Sequence, residues 1–184
     1  MTDNSTGRRK AAGGVLVAAT VATGLLAGVF YVFACNIMPS LSRSDDRVFI
    51  EVMQNINDQI QNPVFFLSFL GAPLLAAVAA WQSRGTPHRW WVLAGLAALA
   101  LAFLLTMAVN IPLNDELADA GDPARIADPA AVRAEFEDPW VAWNVVRALL
   151  STLALACLAR ALLLYRRPHT SAYLESAAGS SASR

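Results

Sequence analysis

The sequence predicts an all-α integral membrane protein, a four-helix bundle of up-down-up-down topology with short amphipathic helices in the two outer connections. Three observations lead there. Of the 184 residues, 56% are hydrophobic and only 15% charged, and mean hydropathy is +0.44, a balance that ordinary soluble domains of this length do not show. Four stretches, about 11–38, 63–81, 90–111 and 140–164, lack Asp and Glu and reach the roughly 20 helical residues that a hydrocarbon core requires. Basic residues gather in alternate connections.

Each element has its own signal. Residues 1–10, with Arg8, Arg9 and Lys10, read as a basic cytoplasmic N-terminus. The uncharged run that follows, Ala11 to Ser42, is longer than the roughly 7–15 apolar residues of a secretory leader, so it reads as a retained span. Within it Gly24-Leu25-Leu26-Ala27-Gly28 is a small-xxx-small pattern that lets another helix approach closely. Ser42-x-x-Asp45 resembles a capping box, and Phe49, Met53, Ile56 and Ile60 recur at helical spacing. That predicts a short amphipathic helix lying on the outer membrane surface, with Gln54, Asn57, Asp58 and Gln61 on its other face. Asn62-Pro63, Thr86-Pro87 and Asp138-Pro139 each pair an N-cap residue with proline at the first helical position, marking the starts of spans two, three and four. Pro73 predicts a bend in the second span. A second short outer helix is expected from Asp128-Pro129 towards Phe136. Residues 11–165 thus form the transmembrane domain, and the Ser/Ala/Gly-rich 166–184 read as a disordered cytoplasmic tail.

Orientation follows from the arginines, because short cytoplasmic segments are enriched in Lys and Arg. Arg8, Arg9 and Lys10, then Arg84 and Arg89, then Arg166 and Arg167 put both termini in the cytoplasm of a multi-pass plasma-membrane protein. The other two connections carry twelve carboxylates against four arginines and belong outside. A preference for arginine over lysine fits a bacterial source. Partners narrow accordingly. With a formal net charge of zero and no basic stripe interleaved with aromatics, nucleic acid is not expected; the lipid bilayer is, and a homo-oligomer stays open. Cys35 and Cys157 lie near opposite depths and cannot bridge within one protomer.

Chemistry concentrates at one depth. Asn36 ends the first span, Gln61 and Asn62 start the second, Asn110 and Asn114 end the third, and Asn144 with Arg147 sits in the outer part of the fourth. Unsatisfied polar groups in hydrocarbon cost several kcal/mol each, so these side chains should face one another or a wet cavity. Trp140, Trp143, Asn144, Arg147 and Ser151 share a helical face by the i, i+3, i+4, i+7 rule. Two indoles and a guanidinium suit a flat aromatic or quinone-like molecule, stacked on tryptophan with an oxygen on Arg147. The same stripe also suits a polar network that only pins helices together. His88 and His169 fall on the inner side, so no histidine metal or haem site is expected, nor is any other cofactor. The absence of an intramembrane carboxylate relay weakens a transport reading.

These segments together resemble a known family. Gly28-Val29-Phe30-Tyr31-Val32-Phe33 leading to Met38-Pro39, then Met53-Gln54-Asn55-Ile56-Asn57, Gln61-Asn62-Pro63, Asn110-Ile111-Pro112-Leu113-Asn114 and Trp140-x-x-Trp143-Asn144-x-x-Arg147 are similar to the anthrone oxygenase-like family of small four-span membrane proteins, over about residues 14–163. The resemblance implies oxidation of an anthrone to an anthraquinone without a recognised cofactor, with dioxygen as co-substrate, although bacterial members are mostly of unknown function. On that implication Arg147, Asn144 and Asn110 do the chemistry and Trp140, Trp143, Asn36, Gln61, Asn62 and Asn114 bind substrate. Arg147 stabilises an enolate oxygen, Asn110 and Asn144 hold hydroxyls and the tryptophans stack the ring. For the base, Asp58 and Asp138 are nearest in sequence. The alternative is a non-catalytic membrane protein that binds a lipid, a quinone or a partner subunit.

Overall fold

The computed structural model describes residues 2–165; the tail expected at 166–184 lies outside the described residues. Among the described residues five helices form the fold. Helix α1 runs Thr2–Val32 and continues through a π turn, Phe33–Ile37, and a last α turn, Met38–Leu41; α2 is Asp46–Gln59 and α3 is Pro63–Gln82. Helix α4 runs Arg89–Leu105 and continues through a second π turn, Thr106–Asn110, into Ile111–Asp119; after a 3-10 turn at Pro123–Arg125, α5 is Pro129–Tyr165. Helices α1, α3, α4 and α5 are long and apolar enough to cross a membrane. They form an all-α membrane helix bundle, in which α1 packs on α3 and α5, and α4 on the same two.

The packing shows which solvent the bundle is built for. Small residues fill its inside: Ala19, Ala72, Ala76, Ala154 and Ala161 are fully buried, while Leu67, Leu74, Leu149 and Leu163 point outward. Lipid gives apolar side chains no reason to hide, so small residues that let backbones approach take the contacts. Helices α4 and α5 approach closely. A Cβ on Gly95 would lie 3.1 Å from Leu158 Cγ and 3.3 Å from the Ala154 carbonyl oxygen. The small-xxx-small pattern of α1 plays a lesser part: Gly24 has Leu155 at 3.6 Å, and Gly28 has nothing within 4 Å. Only one of its two glycines faces a helix.

Helix boundaries depart from expectation where a proline has a second way to be accommodated. Asn62 does cap α3, its Oδ1 accepting from the backbone of Val64 at 3.1 Å and Phe65 at 3.0 Å. Thr86 instead donates to the Ser83 carbonyl inside the turn at 2.7 Å, and α4 begins at Arg89. Asp138-Pro139 lies within α5, whose cap is Asp128, accepting from Ala131 N at 3.1 Å. The carbonyl that Pro139 leaves without its helical partner is that of Glu135, an exposed residue, where water can take its place. The second outer helix is therefore the first part of the fourth span, and α5, at 37 residues, is about 55 Å long. It overshoots a hydrocarbon core of about 30 Å.

That overshoot builds a second core beyond the bundle. Phe49, Ile50 and Met53 of α2 are 0% exposed, packed with Met38, Leu117, Phe136 and Trp140. Helix α2 is thus a cap on protein rather than a raft on lipid. Its N-cap is Asp45, which accepts from Arg47 N at 3.0 Å; Ser42 donates back to the Pro39 carbonyl. Arg133 ties the cap down, donating to the Ser42 and Ser44 carbonyls and to Asp46, each at 2.9 Å, and to Glu137 at 2.6 Å. Its guanidinium lies 4.5 Å above the Phe49 ring. From α2, Gln54 donates to the Leu117 carbonyl at 2.8 Å, and Arg47 to the carbonyls of Ile126, at 2.9 Å, and Pro123.

Candidate functional site

Beneath the cap lies a cavity of about 180 Å³ between α1, α3, α4, α5 and the C-terminal half of α2. One water needs roughly 10–15 Å³ on this measure, so the space admits a small organic molecule. Its walls are aromatic. Phe30 and Phe33 come from α1, Phe65, Phe66 and Phe69 from α3, and Trp140 from α5. Phe65 and Phe69 stack at 5.5 Å between ring centroids, and Phe69 stacks on Phe103 at 5.1 Å. Spacing of four residues puts Phe65 and Phe69 on one helical face.

Arg147 holds the deep end. It is 5% exposed, donates to Asn144 Oδ1 at 3.0 Å and lies 3.4 Å from Thr106 Oγ1. Its guanidinium carbon sits 4.5 Å from the Phe30 ring centre and 5.5 Å from that of Trp140. Among the described residues the salt bridges belong to Arg125 and Arg133. Arg147 has no carboxylate of the described residues within 4.0 Å and so is a buried cation held there by amide, hydroxyl and π-faces, the situation in which an incoming oxyanion gains most.

Around it, polar side chains fix the frame. Asn144 donates to the Phe30 carbonyl at 3.1 Å, tying α5 to α1. Trp140 Nε1 donates to Asn114 Oδ1 at 2.8 Å, and Asn110 Nδ2 lies 3.4 Å from the Trp140 carbonyl, tying α5 to α4. Both π turns flank this region, each followed two positions later by a proline, Pro39 and Pro112. A proline cannot donate to the carbonyl four residues back and its ring collides with it; a wider turn relieves both. The wider turn also resets which residues face inward. Phe33, Thr106 and Asn110 are buried here, while Asn36 is exposed.

Of the residues singled out from sequence, Arg147, Asn144, Trp140, Asn114 and Gln61 line the cavity. Asn110 is buried beside it, holding the indole-bearing backbone. Three others stand elsewhere. Asn36, within the first π turn, is exposed. Asn62 spends its amide on the helix cap and on the Gln59 carbonyl. Trp143 is 38% exposed, because at 100° per residue it falls about 70° from the centre of the Trp140, Asn144, Arg147 stripe. Asp58 and Asp138 are exposed and neither lines the cavity; the carboxylate that does is Asp115. The aromatic walls, Thr106 and Asn57 were not singled out as a site. Thr106 stands one turn before Asn110, a spacing that could have flagged it, whereas the phenylalanines read as ordinary span residues.

Comparison with known proteins addresses what this pocket belongs to. The family model described as anthrone oxygenase matches residues 52–157, more than half of the chain and all but the α1 side of the cavity. The chain belongs to the anthrone oxygenase family. No curated protein and no solved structure matches it. Within the family match lie α3, α4 and α5 as far as Cys157, hence Arg147, Asn144, Trp140, Asn114 and Asp115; Phe30 and Phe33 lie outside it.

Proposed function

We propose that this protein is a membrane-embedded oxygenase that acts on phenolic polycyclic or quinone-like molecules without a resident cofactor, using the cavity under α2. The observation that carries the reading is Arg147: a cation without a carboxylate partner among the described residues, lining an aromatic-walled cavity. Removing a proton from the ring carbon opposite the carbonyl of an aryl ketone of this kind gives an electron-rich enolate. Such an anion transfers electrons to dioxygen itself, so the protein has to bind the ring, stabilise the oxyanion and exclude competing reactions. Arg147 takes the oxyanion, and Trp140 with the phenylalanines takes the ring faces. Asn144 acts as a positioning residue, because both ends of its amide already serve Arg147 and the Phe30 carbonyl.

The test is anthrone oxidation by purified protein in detergent, started by admitting air to an anaerobic mixture with chelator present. Oxygen-dependent anthraquinone formation well above the protein-free rate, lost in Arg147→Met, is the expected result. A rate equal to the protein-free one sinks the oxygenase reading. A second reading, a non-catalytic binder of a lipid, quinone or partner subunit, draws on the bonds from Asn144 and Trp140 that join three helices; it predicts binding of a quinone without turnover. In either case the basic segments support a topology with both termini in the cytoplasm. Asp119 is exposed at the end of α4. In a protein with both cysteines replaced, Asp119→Cys should therefore react with a membrane-impermeant maleimide added to intact cells, and labelling only after lysis reverses the topology.

A further inference from the structure

Substrate orientation in this cavity follows from where its two ionisable groups stand. We propose that Asp115 is the base that removes the substrate proton, which rests on the oxygenase reading above. Arg147 is in contact with Thr106 at 3.4 Å, and Asp115 stands nine residues further along α4, roughly 13 Å of helical rise towards the cap. The two groups therefore occupy opposite ends of the cavity. Between them lies the indole of Trp140, 5.5 Å from the Arg147 guanidinium on one side and hydrogen-bonded to Asn114, the neighbour of Asp115, on the other.

In a ketone of the central ring of a tricycle, the acidic carbon stands directly across that ring from the carbonyl. A carbonyl held by Arg147 thus points its acidic C–H at the Asp115 end. Among the described residues no other carboxylate, histidine or cysteine lines the cavity, so Asp115 is the ionisable acceptor available there. Its exposure gives the abstracted proton a way to water, and the aromatic deep end keeps the oxyanion out of it.

The step balances as follows. Asp115 takes one proton from the ring carbon, and the C–H electron pair moves onto the carbonyl oxygen as an enolate held by Arg147. The enolate carbon forms a C–O bond to dioxygen, and the terminal oxygen takes a proton to give a hydroperoxide. Loss of the second C–H proton, with cleavage of the O–O bond, yields the second carbonyl and water. The carbon is oxidised by four electrons and dioxygen is reduced by four, one oxygen atom entering the quinone and the other leaving as water.

The experiment compares wild type, Asp115→Asn, Asp115→Ala and Arg147→Met in the anthrone assay, with anthraquinone affinity measured in parallel. Asp115→Asn should lower kcat by about 10²- to 10⁴-fold, the range of a general base, with KM and anthraquinone affinity unchanged. Formate should restore part of the lost turnover in Asp115→Ala but not in Arg147→Met, which should also bind anthraquinone more weakly. Wild-type turnover in Asp115→Asn, with Arg147→Met inactive, overturns the assignment and leaves the oxygenase reading standing. A raised KM, or no recovery in formate, makes Asp115 a binding or positioning residue and likewise overturns it. No turnover by wild type overturns both.

Discussion

At the residue scale, Arg147 and Asn144 are adjacent on one stripe yet should respond oppositely to substitution. Asn144 both donates to the Phe30 carbonyl and accepts from Arg147, so Asn144→Ala leaves buried partners unmade and should cost about 1–3 kcal/mol in a detergent unfolding experiment. Arg147 carries a charge out of water with no carboxylate beside it. Methionine of similar volume removes that desolvation cost, so Arg147→Met should melt no lower than wild type while losing quinone binding. A melting temperature well below wild type would make Arg147 chiefly structural. The two tryptophans separate in the same way. Trp140→Phe removes the bond to Asn114 and should cost about 1 kcal/mol; Trp143→Phe, on the outward face, should leave stability and turnover as they are.

At the element scale, the contacts that matter are those where backbones approach or where a cap is tied down. Gly95→Leu forces a side chain against Leu158 and the Ala154 backbone, and should destabilise the α4–α5 pair by about 1–3 kcal/mol. Gly28→Ala meets nothing within 4 Å and should be neutral or stabilising by up to about 1 kcal/mol through helix propensity. Equal losses at both positions would contradict the packing described for α1. The cap turns on Arg133. Its guanidinium bonds two carbonyls and two carboxylates in different directions, a fork that an ammonium does not reproduce. Arg133→Lys should therefore loosen α2 nearly as much as Arg133→Met, read as faster amide exchange over Asp46–Gln59 than in wild type. Because Asn57 and Gln61 lie at that end of the cavity, loss of the cap should also weaken ligand binding.

For the molecule as a whole, the bundle is closed at both ends, and the closure at the end away from α2 carries a pH dependence. His88 is buried in the α3–α4 turn beside Tyr165, ring centroids 5.4 Å apart, and its Nε2 lies 3.2 Å from Thr86 Oγ1. Tyr165 reaches on to the Arg9 carbonyl of α1, so three connections meet there. Burial holds the His88 imidazole below its ordinary pKa of 6.5, which means that the fold favours the neutral ring. The stability it contributes is complete above pH 6.5 and is lost as the pH falls through the depressed folded value. Wild type should thus melt progressively lower below pH 6.5, and His88→Gln should flatten that part of the profile. Identical slopes in the two proteins would locate the acid sensitivity elsewhere.

The sequence by itself determined what depends on solvent and on local chemistry: four apolar stretches without Asp or Glu, the Asn62 cap, the apolar face of α2, and the stripe of Trp140, Asn144 and Arg147. Each is set by residue type and spacing within about two turns of helix, where periodicity is informative. Only the tertiary structure decided which side of each stripe met a partner. Asn36 faced outward and Thr106 inward beside the two π turns, α5 ran on through Pro139, α2 settled on protein instead of lipid, and Asp115 rather than Asp58 or Asp138 reached the cavity. The reason is physical. A single wide turn shifts every later side chain by a large fraction of a helical turn, and whether a proline causes one depends on what surrounds the carbonyl it frees.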